Sequence, residues 1–192
     1  TVNKKFAVPF PNILAPKAAP LPAGTPAEKN VVLGSLVSTD AADRVQSLIK
    51  DAVSKGAHVL SGNSRDGTIM TATVLDHVTS GMAIYSEESF GPVVCIIRVD
   101  GEEEAIKVAN DGEYGLSSSV FSQDIARALN VAKRIEAGIC HINGPTVHDE
   151  AQMPFGGVKA SGYGRFGGKA GIAEFTDLRW ISIETGPQRY PF

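Results

Sequence analysis

Apolar and polar residues alternate with two different periods along this chain, and these periods predict its helices and strands. Between Val45 and Val53, apolar residues recur at helical spacing and form one face of a helix. Polar cap candidates at 38–40 precede it, and Gly56 suits the left-handed position just past its end. The pattern therefore predicts a helix over this stretch.

Five stretches have the composition of strands, and the run 93–99 is almost wholly apolar, which is typical of a strand buried on both faces. A capping box of Asp100 and Glu103 predicts one intervening helix, and Ser122 precedes a second that extends to Ile135 and is stopped by Gly138. Strands that alternate with helices over short connections predict a parallel sheet. The fold class is α/β, an open and mainly parallel sheet with helices on both faces. The predicted strands are 57–60, 68–75, 93–99, 116–121 and 139–143.

The two ends of the chain differ from this pattern. Six of the eleven prolines lie in the first 26 residues, and because proline removes a donor and disfavours helix before it, we predict an extended or irregular arm. A disordered terminus is the alternative. At the other end, the alternation over 178–184 predicts a late strand outside the main sheet, able to pair with another domain or subunit. We divide the chain at 1–30, 31–168 and 169–192.

Composition narrows the class of protein. Hydrophobic residues make up 43% and charged residues 20% of the 192, which argues against disorder. A net charge of −3 without a basic stripe argues against nucleic-acid binding. The longest apolar run falls far short of the roughly 20 residues of a membrane span. With two cysteines and no leader pattern, a cytoplasmic location is expected, and Thr1 in place of Met suggests a processed or truncated product.

Several patterns invite a chemical interpretation. The G-x-G-x-x-G match at 162–167 does not directly follow a predicted strand, so we interpret it as a backbone path without room for side chains. Cys140 and His141 are neighbours on a strand and point to opposite faces, which excludes a dyad. Cys95 lies in the most apolar strand, where a thiol stays protonated. The cluster 148–150 is expected to be a polar loop tip without metal, with His148 able to line a cleft.

Taken in order, three motifs resemble those of the aldehyde dehydrogenase family. E-S-F-G-P at 88–92 resembles its E-x-F-G-P motif, and Asn110 with Y-G-L at 114–116 and V-F at 120–121 resembles its N-x(3)-Y-G-L-x(3)-V-F segment. P-F-G-G-V-K-A-S-G-Y-G-R at 154–165 resembles its P-F-G-G-x-K-x-S-G-x-G-R motif. The loop N-G-P-T-V-H-D-E at 143–150 is similar to that of salicylaldehyde, benzaldehyde and vanillin dehydrogenases within the family.

The resemblance implies roles for particular residues. Glu88 would accept hydrogen bonds from the nicotinamide-side ribose of NAD or NADP, and Phe90 would pack near that ribose. The remaining implied roles concern the aldehyde: an aromatic wall of its tunnel, and a loop at the tunnel mouth that discriminates substrates. These residues are Phe155 for the wall and Thr146, Val147 and His148 for the loop. The tail 169–192 would oligomerise through 178–184.

The resemblance also implies what the chain lacks. The family's nucleophilic cysteine and general-base glutamate lie upstream of the matched region, so no catalytic residue is assigned here. The prediction is the C-terminal part of an NAD(P)-dependent aldehyde dehydrogenase that acts on an aromatic aldehyde, with the isolated chain inactive. The alternatives are a non-catalytic module that binds a partner through its final strand, and a related acylating or acyl-phosphate reductase. The prolines at 9, 11, 16 and 20 depart from the family, because they occupy a stretch that is helical in it.

Overall fold

A computed structural model describes residues 1–3 and 8–191 of the chain. Its Cα positions separate into two compact units: unit 1 comprises Thr1–Glu113 and Lys133–Ile135, and unit 2 comprises Tyr114–Ala132 and Glu136–Phe192. The helices are α1 (Pro9–Ala18), α2 (Thr39–Ser54), α3 (Ala83–Ser86), α4 (Glu102–Asn110), α5 (Ile125–Ala132) and α6 (Gly168–Glu174). The strands are β1 (Val2–Asn3), β2 (His58–Ser61), β3 (Arg65–Asp66), β4 (Ile69–Met70), β5 (Thr73–Asp76), β6 (Val93–Cys95), β7 (Arg98–Val99), β8 (Tyr114–Gly115), β9 (Ser117–Val120), β10 (Ile139–Ile142) and β11 (Val158–Lys159).

Unit 1 is built on a small sheet with a helix against each face. Strand β5 pairs antiparallel with β2 and parallel with β6. Its residues alternate between faces, so Leu75 packs in the cluster of α2 whereas Val74 packs with Ala18 of α1. The arrangement confirms the α/β class with helices on both faces of an open sheet. The apolar face predicted for α2 is confirmed at Val45, Leu48, Ile49 and Ala52, which are buried, whereas Val53, predicted on the same face, is 43% exposed.

Two local signals around α2 act as the sequence predicts. Ser38 is the N-cap, and its Oγ accepts a hydrogen bond from the backbone N–H of Ala41 at 3.1 Å. Gly56 follows the helix with a φ of 103°, the left-handed conformation that glycine adopts without a Cβ penalty. Both ends of the helix are thus set by local sequence.

The prediction of an extended arm at the N-terminus is wrong, because Pro9–Ala18 forms helix α1. Pro9 and Pro11 lie in its first turn, where the N–H groups have no intrahelical acceptor and their loss costs nothing. Pro16 is the one proline of the helix beyond its first turn, and it removes a single backbone hydrogen bond. The helical expectation from the family resemblance describes this stretch correctly.

The three strands predicted for one parallel sheet belong to two sheets. β6 extends the sheet of β2 and β5, whereas β9 and β10 pair parallel with each other in unit 2. The run 93–99 is not one strand buried on both faces: it is divided into β6 and β7, and Val94 is 45% exposed. The run 68–75 is likewise divided into β4 and β5. The unit β9–α5–β10 confirms one predicted strand–helix–strand crossover.

Three smaller predictions need correction. Gly101, not Asp100, is the N-cap of α4, and the backbone N–H of Asp100 donates to Glu104, while Glu103 forms an ion pair with Arg134. Helix α5 ends at Ala132, short of Ile135. The stretch 178–184 forms no strand within the described residues, and its side chains are exposed; a strand requires a partner chain to pair with.

Candidate functional site

The turn that carries Glu88 and Phe90 lies in unit 1, between α3 and β6. The backbone N–H of Ala83, at the start of α3, donates to the carboxylate of Asp51 in α2 at 2.8 Å. At the other end, the backbone N–H of Thr73 in β5 donates to the carbonyl of Pro92 at 2.8 Å. The turn is therefore a short bridge between two anchored points.

The two predicted cofactor residues present their side chains to solvent on this turn. Phe90 is 79% exposed and has a φ of 47°, a left-handed conformation that non-glycine residues rarely adopt. Glu88 is exposed, and its carboxylate has no hydrogen-bond or ion-pair partner within residues 1–3 and 8–191. A carboxylate without a protein partner beside an uncovered ring can accept hydroxyl hydrogen bonds and pack a flat ligand.

Unit 2 contains a separate candidate site, a cleft of about 390 Å³. It is lined by residues of β10 and by the loop that follows β10. Pockets of this size hold small organic ligands. Its lining residues are Gly138, Ile139, Cys140, His141, His148, Asp149, Glu150, Met153, Pro154 and Phe155.

Two of the four predicted substrate residues line this cleft, and two do not. Phe155 is half-buried and contributes an aromatic wall, and His148 lies at the exposed side. Val147 is 88% exposed outside the lining, and Thr146 is exposed as well. Thr146 instead contributes its carbonyl, which accepts a hydrogen bond from Ser117 Oγ at 2.7 Å. The structure thus brings His148 and Phe155 together and leaves Thr146 and Val147 on the outer part of the loop.

The loop that follows β10, from Asn143 onward, is called the cleft loop. Serine and asparagine side chains attach its first residues to β9 and to Ser122, which follows β9. Ser119 Oγ of β9 donates to the carbonyl of Gly144 at 2.7 Å, in addition to the bond from Ser117. The Asn143 side chain accepts from the N–H of Ser122 and donates to its carbonyl, each at 2.9 Å. The serines of β9, which pack poorly in a core, therefore position the beginning of the loop.

Close backbone contacts hold the second half of the loop. A Cβ at Gly138 would lie 1.8 Å from the carbonyl oxygen of Gly156, so only glycine fits there. Arg165 Nη1 donates to the carbonyls of Gly157 at 2.8 Å and Gly164 at 2.7 Å. Phe155 and Phe166 exchange both backbone hydrogen bonds in an isolated antiparallel bridge. These contacts fix the backbone of the residue that forms the aromatic wall.

The G-x-G-x-x-G stretch belongs to this same packing. Gly164 and Gly167 have φ values of 71° and 84°, and a Cβ at Gly167 would lie 2.3 Å from the carbonyl oxygen of Met153. The stretch does not open a long helix on a parallel strand, as a dinucleotide fingerprint requires. The interpretation as a backbone path without room for side chains holds at Gly167 but not at Gly162, where a Cβ would meet nothing within 4 Å.

Polar groups in the cleft wall were missed by the sequence interpretation. His141 Nε2 is buried and has no hydrogen-bond partner among the described residues. The rings of His141 and His148 meet edge to face with centroids 5.7 Å apart, and His148 Nε2 lies 3.3 Å from Glu150 Oε1. Cys140 also lines the cleft. The signal that could have found them is their position on β10 directly before the glycine-rich loop, at the carboxyl end of a parallel strand.

The two cysteines differ in their surroundings: Cys95 lies in β6, and Cys140 lines the cleft. Burial raises the pKa of the Cys95 thiol to about 11, which confirms that it stays protonated near neutral pH. Cys140 and His141 make no hydrogen bond to each other within the described residues, although both line the cleft. Across residues 1–3 and 8–191, no group of three or more histidine, cysteine or acidic side chains is arranged to hold a metal ion.

The last part of unit 2 exposes large apolar side chains. Leu178, Trp180 and Ile183 are each more than four-fifths exposed. The part of the chain that the structure describes contains no helix that is both long enough and apolar enough to cross a membrane.

Comparison with known proteins identifies the family. The model of the aldehyde dehydrogenase family matches residues 1–181. The vanillin dehydrogenase of Pseudomonas fluorescens is 55% identical over 190 residues, which cover 99% of this chain and 39% of that protein. The salicylaldehyde dehydrogenase of Pseudomonas putida is 50% identical over 192 residues, which cover 100% of this chain and 40% of that protein.

Solved structures give the same result. The crystal structure of a salicylaldehyde dehydrogenase from Pseudomonas putida G7, complexed with salicylaldehyde, superposes with a TM-score of 0.94 at 50% identity, over 100% of this chain and 40% of that one. A Mycobacterium tuberculosis aldehyde dehydrogenase complexed with NAD⁺ superposes with a TM-score of 0.90 at 31% identity, over 98% of this chain and 40% of that one. This chain thus spans about 40% of the length of these relatives.

Proposed function

This chain belongs to the aldehyde dehydrogenase family, and from that premise we propose that it is the C-terminal part of an NAD(P)-dependent enzyme that oxidises an aromatic aldehyde to its carboxylic acid. The observation that carries the proposal is the cleft of unit 2, which combines the Phe155 ring with the polar groups of His141 and His148. The similarity of this chain, over almost its whole length, to vanillin and salicylaldehyde dehydrogenases supports an aromatic substrate.

In this proposal, the chain contributes positioning. Phe155 packs against the ring of the aldehyde, while His148 and the outer residues Thr146 and Val147 shape the entrance and discriminate between substrates. Holding the aldehyde in one orientation relative to the attacking atom is the main catalytic effect that a cleft wall can supply. In the proposal, the nucleophilic cysteine and the base come from the rest of the enzyme. The family resemblance implies that they lie upstream of this chain, and the raised pKa of the half-buried Cys95 thiol is consistent with this.

Unit 1 contributes the contact with the cofactor. The carboxylate of Glu88, which has no partner in the described part of the chain, is suited to accept hydrogen bonds from the ribose hydroxyls on the nicotinamide side. The exposed ring of Phe90 is suited to pack beside that ribose. When bound, the nicotinamide accepts a hydride from the substrate. The choice between NAD and NADP, and a cytoplasmic location, stay predictions.

A chimeric enzyme tests the proposal. The 192-residue chain replaces the matching 40% of the Pseudomonas putida salicylaldehyde dehydrogenase, and turnover of salicylaldehyde and vanillin with NAD or NADP is measured. We expect the chimera to be active and the isolated chain inactive. A folded chimera without turnover, or turnover by the isolated chain, would contradict the proposal.

Variants of the chimera test the substrate class. Phe155→Ala should raise the KM of aromatic aldehydes about tenfold, the effect of losing one well-packed ring, and leave that of propanal within twofold. Phe166→Ala is the matched control, because Phe166 pairs with Phe155 only through its backbone and does not line the cleft. Equal losses for both aldehyde classes would reject Phe155 as a substrate wall.

The exposed segment 178–184 supports a second role, association of copies of the chain through this segment. Trp180, at 93% exposure, has no cover within the described residues. Deletion of residues 176–192 should then reduce the oligomeric state of the chimera, measured by light scattering. Loss of association in the isolated chain, together with an inactive chimera, would favour the alternative of a non-catalytic binding module.

A further inference from the structure

The turn that carries Glu88 and Phe90 needs support that its own sequence does not provide. A φ of 47° at Phe90 is a strained conformation for a residue with a Cβ. Such a conformation persists only where surrounding contacts determine it. Since Phe90 itself is 79% exposed, those contacts must come from the backbone on either side.

Arg44 of α2 supplies contacts on the N-terminal side of the turn. Its Nη1 donates to the carbonyl of Glu88 at 2.6 Å and lies 3.4 Å from the carbonyl of Ser89. Its Nη2 donates to Glu87 Oε2 at 3.2 Å. The planar guanidinium thus binds three consecutive residues at once, with donors on two nitrogens held in a fixed fork.

The next residue of α2 supplies the contact on the C-terminal side. Val45 is buried, and a Cβ at Gly91 would lie 2.7 Å from its Cγ2, so the backbone of the turn rests directly on the helix. Helix α2 also accepts the N–H of Ala83 through Asp51, in front of the turn. One rigid helix therefore holds the turn at three points.

We propose that Arg44 is a positioning residue for cofactor binding, which acts by fixing the backbone of Glu88 and thereby the direction of its carboxylate and of the Phe90 ring. The inference rests on the proposed function. Arg44 binds the carbonyl of Glu88 and leaves its carboxylate without a partner among residues 1–3 and 8–191. The backbone is held while the side chain stays available for a ribose.

The test uses the chimera, with kinetics in both substrates. Arg44→Ala should raise the KM of the cofactor about tenfold, since a misplaced binding group far from the reacting atoms costs one to two orders of magnitude. The KM of the aldehyde should stay within twofold. Arg44→Lys keeps the charge without the fork and should recover part of the loss. Unchanged cofactor KM in Arg44→Ala would overturn the proposal.

Arg65→Ala is the matched control. Arg65 also forms an ion pair with α2, at 2.5 Å to Asp43, but it makes no contact with residues 87–91 in the described chain. Its loss should lower Tm as much as the loss of Arg44 and leave the cofactor KM unchanged. If both variants change the cofactor KM equally, Arg44 has only a structural role and the proposal is wrong.

A double-mutant cycle shows whether Arg44 acts through Glu88. The effects of Glu88→Gln and Arg44→Ala on the cofactor KM should be non-additive. The KM of the double variant should exceed that of the single variant with the higher KM by no more than about twofold. Full additivity would contradict the proposal. An inactive chimera with Arg44 intact would instead reject the proposed function. In that case, backbone ¹⁵N relaxation of residues 87–91 in the isolated chain still decides whether Arg44 fixes the turn, because Arg44→Ala should increase its mobility and Arg65→Ala should not.

Discussion

The two units of this chain are held together in different ways. Unit 1 has a conventional core, in which α2 and β5 bury large aliphatic side chains such as Ile49 and Leu75. In unit 2, Ala128 is the only buried hydrophobic residue found among the described ones. Its order comes from close glycine contacts and from hydrogen bonds to loop carbonyls. The comparison indicates that a binding loop can be fixed by its backbone, without a core beneath it.

The largest expected difference in stability is between two leucine truncations, one in each unit. Leu75→Ala should lower the free energy of unfolding by about 4 kcal/mol, because Leu75 is fully buried and leaves a cavity. Leu129→Ala should cost less than about 1 kcal/mol, because Leu129 is 46% exposed. Urea denaturation measures both. Similar costs at the two positions would mean that unit 2 has a core of its own.

A glycine substitution is expected to destabilise unit 2 strongly, where the leucine truncation does not. Gly138→Ala should cost about 3 kcal/mol or more through overpacking, since the new Cβ would collide with the carbonyl of Gly156. Gly144→Ala is the control at the other end of β10, where a Cβ would meet only His141 Cβ at 3.6 Å, an ordinary contact. Segment-resolved hydrogen exchange should show the loss of protection around 154–166. Equal tolerance of both alanines would show that close packing does not hold the loop.

The leucine and glycine variants also show which features of the fold could be predicted from the sequence. The face of α2 was predictable because Val45, Leu48, Ile49 and Ala52 repeat with the period of a helix. The contact of Gly138 with Gly156 was not, because a missing side chain gives no periodic signal and its neighbour lies far along the chain. The α1 prediction failed because composition was considered without position: proline is tolerated in a first helical turn.

In the candidate site, too, some residues could be predicted from the sequence and others could not. The motifs and the loop indicated six residues by resemblance, and only His148 and Phe155 of these line one cleft. The six are Glu88, Phe90, Thr146, Val147, His148 and Phe155. Arg44 and His141 were missed, since an arginine on a helix and a histidine on a strand are common in any protein. Only their contacts, with a turn 44 residues away and with a cleft, distinguish them.

The ion pair between Asp76 and Arg98 makes the stability of unit 1 depend on pH. Burial alone would raise the pKa of Asp76, but two hydrogen bonds from Arg98, at 3.1 and 2.6 Å, and one from the N–H of His77 outweigh it and hold the pKa below its usual value. A carboxyl with a lowered folded-state pKa stabilises the protein above its unfolded pKa of about 4 and loses that contribution as the pH falls further.

Asp76→Asn tests this. We expect it to lower the free energy of unfolding at pH 7 by about 2 to 3 kcal/mol, because it leaves Arg98 without its buried partner. The variant should also flatten the decline in stability between about pH 5 and pH 3. Glu103→Gln is the comparison, since the Glu103–Arg134 pair is mostly exposed and should matter little. A decline in acid that is unchanged in Asp76→Asn would show that other carboxyls cause it.

The smallest effect, and the one most specific to unit 2, is expected at the serines of β9. Ser119→Ala removes a hydroxyl donor from the carbonyl of Gly144 and should cost about 1 kcal/mol, the net contribution of one such hydrogen bond. Ser47→Ala is the control: its hydroxyl donates to a carbonyl within α2, which the helix already holds. Hydrogen exchange should therefore rise at 144–150 in the first variant and stay unchanged around α2 in the second. If loop exchange is unaffected by Ser119→Ala, the glycine contacts alone fix the cleft wall, and the difference between the two units is larger than we infer.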